Sequence, residues 1–258
     1  NIFAAFNTNV DVVVHLTEEN VQGLSNDPQV CLSTVRELNA EEIWEVETEN
    51  DFVAVIRDAL GQGKSFYVIL NNMDLLDWLE EKFPVRNESM GGQAGIIANQ
   101  MAALGANSIV YTSLLSPKQG SMFFPQVKVP VVSDKLQVKN VMDSVRTQDH
   151  TKVNWIFEYG KGEQFEIDGQ VIRTPRANRV ILATRPEGVV MGFSEEMRDH
   201  LPELGQQLDV AFMAGFHYAP TQVDELQSYL EYSMDCIRRL KENNKKLRFH
   251  FEYVPMND

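Results

Sequence analysis

Two adjacent glycines at the start of an apolar helix are the part of this sequence best suited to chemistry. Gly91 and Gly92 precede a stretch in which apolar residues recur at helical spacing as far as Leu104, and Gly105 ends it. Because glycine has no Cβ, a ligand can approach the backbone closely at a point where the first N–H groups of the helix and the positive end of its dipole also lie. The arrangement suits a hydroxyl-rich or anionic ligand, although a glycine pair alone is also typical of a flexible turn.

Two carboxylates occupy positions that favour ligand binding. Asp11 lies in a valine-rich run after the polar turn at residues 7–9, so it either holds sugar hydroxyls in a cleft or is satisfied by neighbouring amides. Glu252 alternates with His250 on the last predicted strand, near the edge at which open α/β sheets bind ligands. Glu252 therefore has the chemistry to hold Mg²⁺ directly or through water, and the alternative is a rim carboxylate without a ligand.

One region of this acidic chain carries positive charge and no acidic residue. Residues 170–186 contain four arginines and no acidic residue, and Lys161 lies just before them between two glycines at a predicted hairpin tip. Arg179 and Arg185 are six positions apart, hence on one face of a strand but about 20 Å from each other if it is straight. We expect different roles for the two arginines, with a structural salt bridge as the alternative to ligand contact for one of them.

The composition excludes several classes of protein. A formal net charge of −14 argues against general binding to nucleic acids or anionic membranes, because both depend on lysine and arginine. No apolar run approaches the roughly 20 residues needed to span a bilayer and no signal peptide is readable, so we expect a cytoplasmic protein. Cys31 and Cys236 are far apart and in no metal-binding spacing, which indicates reduced thiols rather than a disulfide scaffold.

The elements that must position these residues alternate between helix and strand over much of the chain, as in a layered α/β domain. Between residues 123 and 184 strands replace helices, which predicts a β-rich lobe within the α/β chain. The predicted elements include a strand at 2–6, helices capped by Asn50 and by Asn71 or Asn72, a strand at 108–112, a hairpin turn at Asp168-Gly169, helices starting at Ser194 and Thr221, and a last strand at 247–254.

Five motifs together resemble those of the ADP-dependent sugar kinases, the archaeal glucokinase and phosphofructokinase family within the ribokinase-like superfamily. They occur in family order and extend over nearly the whole chain, and the glycine-led motif is the specific one. The motifs are Asn9-Val10-Asp11, Gly91-Gly92-Gln93-Ala94-Gly95-Ile96-Ile97-Ala98-Asn99, Ile156-Phe157-Glu158-Tyr159, Asn178-Arg179 and His250-Phe251-Glu252.

The resemblance implies a ribokinase-like, layered α/β large domain with an inserted small β-rich lid, and a sugar lying between them. With the change of periodicity, it predicts that residues 1–9, 36–118 and 190–258 form the large domain and residues 10–35 and 119–189 the lid. It also implies transfer of the β-phosphoryl group of ADP to a sugar hydroxyl with Mg²⁺ or another divalent cation. By matching positions, the implied substrate-binding residues are Asn9, Asp11, Gly91, Gly92, Asn99, Lys161, Arg179 and Arg185, and the implied metal ligand is Glu252.

Four residues bear on which sugar is used. Lys161 and Arg185 resemble lid residues that phosphofructokinase members place near the sugar phosphate, and Tyr67 lies near the position where glucose-using members carry a glutamate. Fructose 6-phosphate is therefore the expected sugar. Met191 departs from this pattern, since some phosphofructokinases carry a second phosphate-binding arginine there.

The family's C-terminal part, with its nucleotide-binding loops and catalytic aspartate, is missing from this sequence. We therefore expect an N-terminal portion that is inactive alone and whose catalytic residues are unknown. Two alternatives stay open, a glucokinase or bifunctional member and a non-catalytic sugar-phosphate-binding module. The sequence sets no oligomeric state.

Overall fold

The computed structural model describes residues 1–215 and 223–252. Their contacts divide the chain into unit 1, with residues 1–10, 90–152 and 187–258, and unit 2, with residues 11–89 and 153–186. Among the described residues, no helix combines the length and the apolar character needed to cross a bilayer.

The helices and strands have the following bounds. The α-helices are α1 Glu18–Ser25, α2 Leu32–Glu37, α3 Glu49–Gln62, α4 Met73–Lys82, α5 Gln93–Ala103, α6 Pro117–Ser121, α7 Glu195–Asp199, α8 Leu201–Gln206 and α9 Val223–Lys241, with short 3₁₀ turns at Ala40–Glu42 and Met142–Ser144. The strands are β1 Ile2–Phe6, β2 Asn9–His15, β3 Glu45–Val46, β4 Phe66–Leu70, β5 Asn87–Gly91, β6 Ser108–Tyr111, β7 Lys128–Val132, β8 Leu136–Asn140, β9 Val153–Tyr159, β10 Gln164–Ile167, β11 Gln170–Arg173, β12 Asn178–Thr184, β13 Val210–Ala214 and β14 Arg248–Phe251.

Unit 1 is built on a six-stranded sheet in the order β14-β13-β1-β6-β7-β8. Neighbouring strands are parallel except β7 and β8, which form an antiparallel pair. Side chains alternate across β1, so Phe3 packs in one apolar cluster with Leu201 and Leu240, while Ala4 packs in a second with Ala94 and Ala98. Helices therefore cover both faces of the sheet, as expected for a layered α/β domain.

Unit 2 is built on a second sheet in the order β3-β4-β12-β9-β2-β5, with an aromatic core. Phe157 on β9 lies 5.0 Å, between ring centroids, from Phe52 of α3 and 5.0 Å from Phe83 after α4. Trp155 and Trp78 extend the same cluster by ring contacts to Phe157 and Phe52. The helices α3 and α4 are thus held on this sheet by aromatic packing.

The structure divides the chain differently from the expected large domain and β-rich lid. Residues 36–89 belong to unit 2, because β4 pairs in parallel with β12, Phe66 lying opposite Val180. Residues 119–152 belong to unit 1, because β7 and β8 extend the sheet of β1 and β6. Unit 2 is therefore a mixed α/β unit whose bounds differ from those of the predicted β-rich lid.

Most predicted elements are present, and the differences lie at their ends. Helix α3 begins after Thr48, whose side chain accepts from the backbone of Asp51 while the Asp51 carboxylate accepts from the backbone of Thr48. Asn50, the expected cap, instead accepts the backbone N–H of Cys31 at 2.7 Å. The reciprocal pair satisfies two backbone donors at once, which a cap at Asn50 would not do.

The remaining turn and cap predictions divide into confirmed ones and ones outside the described residues. Asn72 caps α4, Ser194 caps α7, and Asp168 and Gly169 have φ of 56° and 70° in the β10–β11 hairpin. The predicted helix start at Thr221 and the predicted end of the last strand at 252–254 fall partly or wholly outside the described residues.

Candidate functional site

The glycine-led turn before α5 has a geometry that only glycine accommodates. Gly92 is the N-cap of α5 with φ 71° and ψ 141°. A Cβ at this position would lie 2.5 Å from the backbone oxygen of Asn7 and 2.8 Å from Cα of Thr8. The chain after β1 therefore presses directly on this turn, and glycine is required both for its φ and for the close approach.

The first turn of α5 leaves backbone donors available. The N–H of Ala94 donates to the oxygen of Asn7 at 3.0 Å, and the N–H of Ile96 donates to the oxygen of Gly92 at 2.9 Å. Within the described part of the chain, the N–H groups of Gln93 and Gly95 have no acceptor. Unsatisfied N–H groups at the positive end of a helix suit an oxygen-rich ligand.

A network of buried polar side chains supports this turn within unit 1. Lys152, 3% exposed, donates from Nζ to Oδ1 of Asn7 at 2.9 Å, and Asn7 donates from Nδ2 to Oε1 of Gln93. Gln119 donates from Nε2 to the hydroxyl of Thr8 at 2.6 Å. The Oε1 atom of Gln119 is buried without a partner among the described residues. Burying several polar side chains together costs free energy unless they are hydrogen-bonded to one another. Such a network is typical of a functional site or of a region whose structure must be rigid.

Two other predicted substrate residues lie in the same unit. Asn9, at the start of β2, is 2% exposed. Asn99 is 7% exposed, donates to the backbone oxygen of Met122 at 2.9 Å and accepts the N–H of Phe124 at 2.9 Å. The Asn99 amide thus ties α5 to the segment after α6, and each of its polar atoms already has one protein partner.

Asp11, Lys161, Arg179 and Arg185 belong to unit 2. Asp11 is half-buried on β2, and its Oδ1 lies 3.4 Å from Nδ2 of Asn154 on β9. This contact agrees with the alternative in which neighbouring amides satisfy the Asp11 carboxylate.

The turn that carries Lys161 is fixed at both ends while Lys161 itself is exposed. The carboxylate of Glu163 accepts the N–H of Gly160 at 2.6 Å. Buried Thr174 donates from Oγ1 to the oxygen of Gly160 at 2.6 Å, and its backbone oxygen accepts the N–H of Gly162 at 2.9 Å. An exposed ammonium on an ordered turn is well placed to bind a phosphate.

The arginines of residues 170–186 lie at different places and make different contacts. Arg176 donates to the backbone oxygen of Gly63 at 2.6 Å and so satisfies the C-terminal end of α3. Arg179 is exposed and lies opposite Glu158 in the β9–β12 register, and Arg185 is exposed just beyond β12. The guanidinium of Arg173 lies near the Lys161 turn, 3.9 Å from the point where a Cβ at Gly162 would be. Sequence analysis did not single out Arg173 for this turn.

Glu252, the predicted metal ligand, lies just after β14. Its Oε2 is buried and has no hydrogen-bond partner among residues 1–215 and 223–252. Burial raises the pKa of this carboxyl above its ordinary value, although nearby His250 acts in the opposite direction. The described residues contain no group of three or more potential metal ligands. Glu252 therefore fits a cation that takes one carboxylate and completes its shell with water and phosphate oxygens, as Mg²⁺ does.

Two other features, a cavity in unit 1 and an exposed cysteine, are weaker candidates for a functional site. A cavity of about 500 Å³ in unit 1 is lined by residues of β6, β7 and α7. Its ion pair, Arg146 with Asp149 at 2.6 Å, is already satisfied by the backbone of Ser113 and Leu115. Exposed Cys31 has a pKa lowered to about 7, mainly by the hydroxyl of Ser33, but a lone cysteine does not by itself make a site.

Sequence reasoning missed Asn7 and Lys152. Asn7 stands two positions before the predicted Asn9, in the same polar turn, which was the available signal. Lys152 gave no local signal, because a lysine between a histidine-threonine pair and a strand is normally exposed.

The comparisons with known proteins point in one direction. A family model described as "ADP-specific Phosphofructokinase/Glucokinase conserved region" matches residues 1–258. The chain is 34% identical over 265 residues to the ADP-specific phosphofructokinase of Pyrococcus furiosus, with all of this chain and 57% of the relative aligned.

Two solved structures are similar along almost the whole chain. The crystal structure of a hypothetical ADP-dependent phosphofructokinase from Pyrococcus horikoshii OT3 matches with a TM-score of 0.84 and 31% identity, covering 100% of this chain and 58% of that one. An ADP-dependent kinase in complex with fructose-6-phosphate and ADPbetaS matches with a TM-score of 0.77 and 30% identity, covering 99% and 51%. The chain therefore spans little more than half the length of the proteins it matches.

Proposed function

The chain belongs to the ADP-specific phosphofructokinase/glucokinase family, and on this premise we propose that the full-length protein transfers the β-phosphoryl group of ADP to fructose 6-phosphate. The products would be AMP and fructose 1,6-bisphosphate. The observation that carries the proposal is the likeness, along the entire chain, to proteins named as phosphofructokinases.

The proposal assigns the sugar hydroxyls to residues around the Gly92 turn of unit 1. Two observations support this assignment: the N–H groups of Gln93 and Gly95 have no acceptor among the described residues, and Gly92 has no side chain. Asp11 remains a proposed sugar contact only because the resemblance implies it. Asn9, Gly91 and Asn99 remain proposed contacts. The Asn99 amide also joins α5 to the segment after α6 by its hydrogen bond to Met122. These groups bind and orient the sugar, which lowers the entropic cost of the reaction.

We propose that cationic side chains of unit 2 bind the phosphate of the sugar. Lys161 on its ordered turn is the principal candidate, and Arg185 and Arg179 are further ones. The exposure of Lys161 and the neighbouring Arg173 guanidinium support a site for a dianion. Tyr67 is 47% exposed, where a glucose-using enzyme would need a carboxylate.

Glu252 is the proposed ligand of Mg²⁺, and its buried Oε2, which has no hydrogen-bond partner among the described residues, supports this role. The metal, when bound, would neutralise charge on the transferring phosphate. The general base and the nucleotide contacts are proposed to lie in a part of the protein beyond this chain. A cytoplasmic location is part of the proposal, because ADP and sugar phosphates are intracellular metabolites.

A glucokinase or bifunctional enzyme is the alternative within the family, and the family description itself covers both activities. Met191 is 9% exposed in the core of unit 1 and stands where some phosphofructokinases carry a second phosphate-binding arginine. The lack of a positive charge at this position is compatible with the alternative. A non-catalytic sugar-phosphate-binding module is the alternative outside the family's activity.

The full-length protein, incubated with fructose 6-phosphate, Mg²⁺ and either ADP or ATP, tests the proposal by ³¹P NMR. We expect AMP and fructose 1,6-bisphosphate to form from ADP. Preferential formation of glucose 6-phosphate when glucose is present would support the glucokinase alternative. Stabilisation by fructose 6-phosphate without any transfer would support the binding module and contradict the proposed reaction.

A further inference from the structure

Lys152 is a buried lysine that contacts the loop beside the Gly92 turn. It is 3% exposed, and its Nζ lies 2.9 Å from Oδ1 of Asn7. Lysine is almost never this deeply buried unless its ammonium group is paired. Lys152 is also the last residue of the middle segment of unit 1, so the bond joins that segment to the end of β1.

The direction of this hydrogen bond fixes the orientation of the Asn7 amide. An ammonium group has only donors, so the atom of Asn7 that faces Lys152 must be the carbonyl oxygen. The amide nitrogen of Asn7 then faces the other way, where it donates to Oε1 of Gln93. A rotated Asn7 amide would set donor against donor at Lys152.

The orientation of the Asn7 amide in turn fixes that of the side-chain amide of Gln93, the first residue of α5. Because Oε1 of Gln93 accepts from Asn7, its Nε2 group points its two N–H donors elsewhere. Gln93 is half-buried, and its Nε2 has no acceptor among the described residues. Donors set in this way cost nothing to orient when a ligand arrives.

We propose that Lys152, Asn7 and Gln93 form a relay that presents the Nε2 donors of Gln93 to an oxygen of the sugar at the Gly92 turn. The inference rests on the proposed sugar site and adds a contact to it. Lys152 and Asn7 are positioning residues, and Gln93 is the residue that contacts the ligand. The ligand group is a hydroxyl or ring oxygen, since either can accept a hydrogen bond.

Steady-state kinetics of the full-length protein test the contact. Gln93→Met keeps the length of the side chain but removes its donors, and we expect KM for fructose 6-phosphate to rise about 3- to 10-fold with kcat within about 2-fold. Gln100→Met, at an exposed position of the same helix, is the matched control and should leave KM unchanged. An unchanged KM for Gln93→Met would overturn the proposed contact.

Two variants of Lys152 test the relay. Lys152→Met should raise KM by a similar factor, whereas Lys152→Arg, which keeps a donor-only cation, should restore most of the affinity. Lys139→Met on exposed β8 is the control for loss of a lysine charge. Thermal unfolding of each variant verifies folding, and the Arg variant keeps the test valid should Lys152→Met fail to fold.

A double-mutant cycle separates the relay from two independent effects. If Lys152 acts through Gln93, the variant with both Met substitutions should be no weaker than Gln93→Met alone. Multiplicative losses in KM would contradict the relay.

A spectroscopic readout keeps this inference distinct from the proposed function. The side-chain amide resonance of Gln93 is identified by its loss in Gln93→Met, and it should shift in ligand-free Lys152→Met but not in Lys152→Arg. No turnover and no binding of fructose 6-phosphate by the wild type would refute the proposed function. An unmoved resonance in Lys152→Met would refute the relay whatever the activity.

Discussion

Replacement of Gly92 by alanine tests the geometry on which the candidate site depends. The new Cβ would lie 2.5 Å from the backbone oxygen of Asn7, whereas favourable contacts begin near about 3.5 Å. Neither of the atoms that approach most closely belongs to a flexible side chain, so the turn and the Asn7 loop must separate by roughly 1 Å. That movement also breaks the bond from the N–H of Ala94 to the oxygen of Asn7, 3.0 Å long.

The expected loss of stability has three parts. A non-glycine residue at φ 71° and ψ 141° costs about 1–3 kcal/mol. The clash adds about 1–3 kcal/mol, as other overpacked sites do, and the lost hydrogen bond adds about 0.5–1.5 kcal/mol. We therefore expect Gly92→Ala to lower the free energy of unfolding by roughly 3–7 kcal/mol, a large share of the 5–15 kcal/mol typical of a folded protein.

Gly105→Ala is the matched control for this measurement. Gly105 also has a positive φ, 84°, but a Cβ there would meet nothing within 4 Å. Urea unfolding of both variants should give a loss of only about 1–3 kcal/mol for Gly105→Ala. A loss at Gly92 within about 1 kcal/mol of the loss at Gly105 would refute the proposed close approach of the Asn7 loop.

Three further substitutions address charge. Burial alone would raise the pKa of Asp27, but the hydrogen bonds from Lys82, Gln29 and Trp78 and the charge of Lys82 together lower it. Asp27 therefore stabilises the fold above its unfolded pKa, and the stabilisation is lost as pH falls through its folded pKa. Asp27→Asn should lower the free energy of unfolding at pH 7 by about 1–3 kcal/mol, and the difference from wild type should shrink below about pH 4. Exposed Asp77→Asn should show no such loss, and a pH-independent difference for Asp27→Asn would contradict the ion pair. Lys161→Ala should raise KM for fructose 6-phosphate about 10- to 100-fold while leaving any use of glucose unchanged, and equal losses on both sugars would remove Lys161 from the phosphate site. Glu252→Gln should raise the Mg²⁺ concentration needed for half-maximal turnover, and an unchanged metal requirement would exclude it as a ligand.

The glycine-led turn could be predicted because its signals are local. Two glycines next to an apolar helical repeat fix the start of α5 within one residue, and the structure adds only the reason that Gly92 must be glycine. The hairpin at Asp168-Gly169 is local in the same sense, because the residue pair itself favours a positive φ at both positions.

The division into units could not be predicted from periodicity. It depends on the pairing of β4 with β12, in which Phe66 lies opposite Val180, and no local pattern reports a partner more than a hundred residues away. The start of α3 shows a smaller version of the same problem. Thr48 and Asn50 are both good caps, and the choice depends on the reciprocal bond with Asp51.

The candidate site was predicted in part. Its glycines and Asn9 follow from a motif, but Lys152 enters through a contact with Asn7 at 2.9 Å between residues 145 positions apart. Such a contact has no signature in the sequence around either residue. The Arg173 guanidinium near the Lys161 turn is likewise set by the β10–β11 hairpin and not by spacing along one strand.

Competition between fructose 6-phosphate and glucose tests the central claim most directly. The full-length protein would receive both sugars at equal concentration with ADP and Mg²⁺, and the two phosphorylated products would be quantified over time. The account predicts that fructose 1,6-bisphosphate predominates, because only fructose 6-phosphate carries a phosphate for the cations of unit 2. Equal or greater formation of glucose 6-phosphate would contradict it.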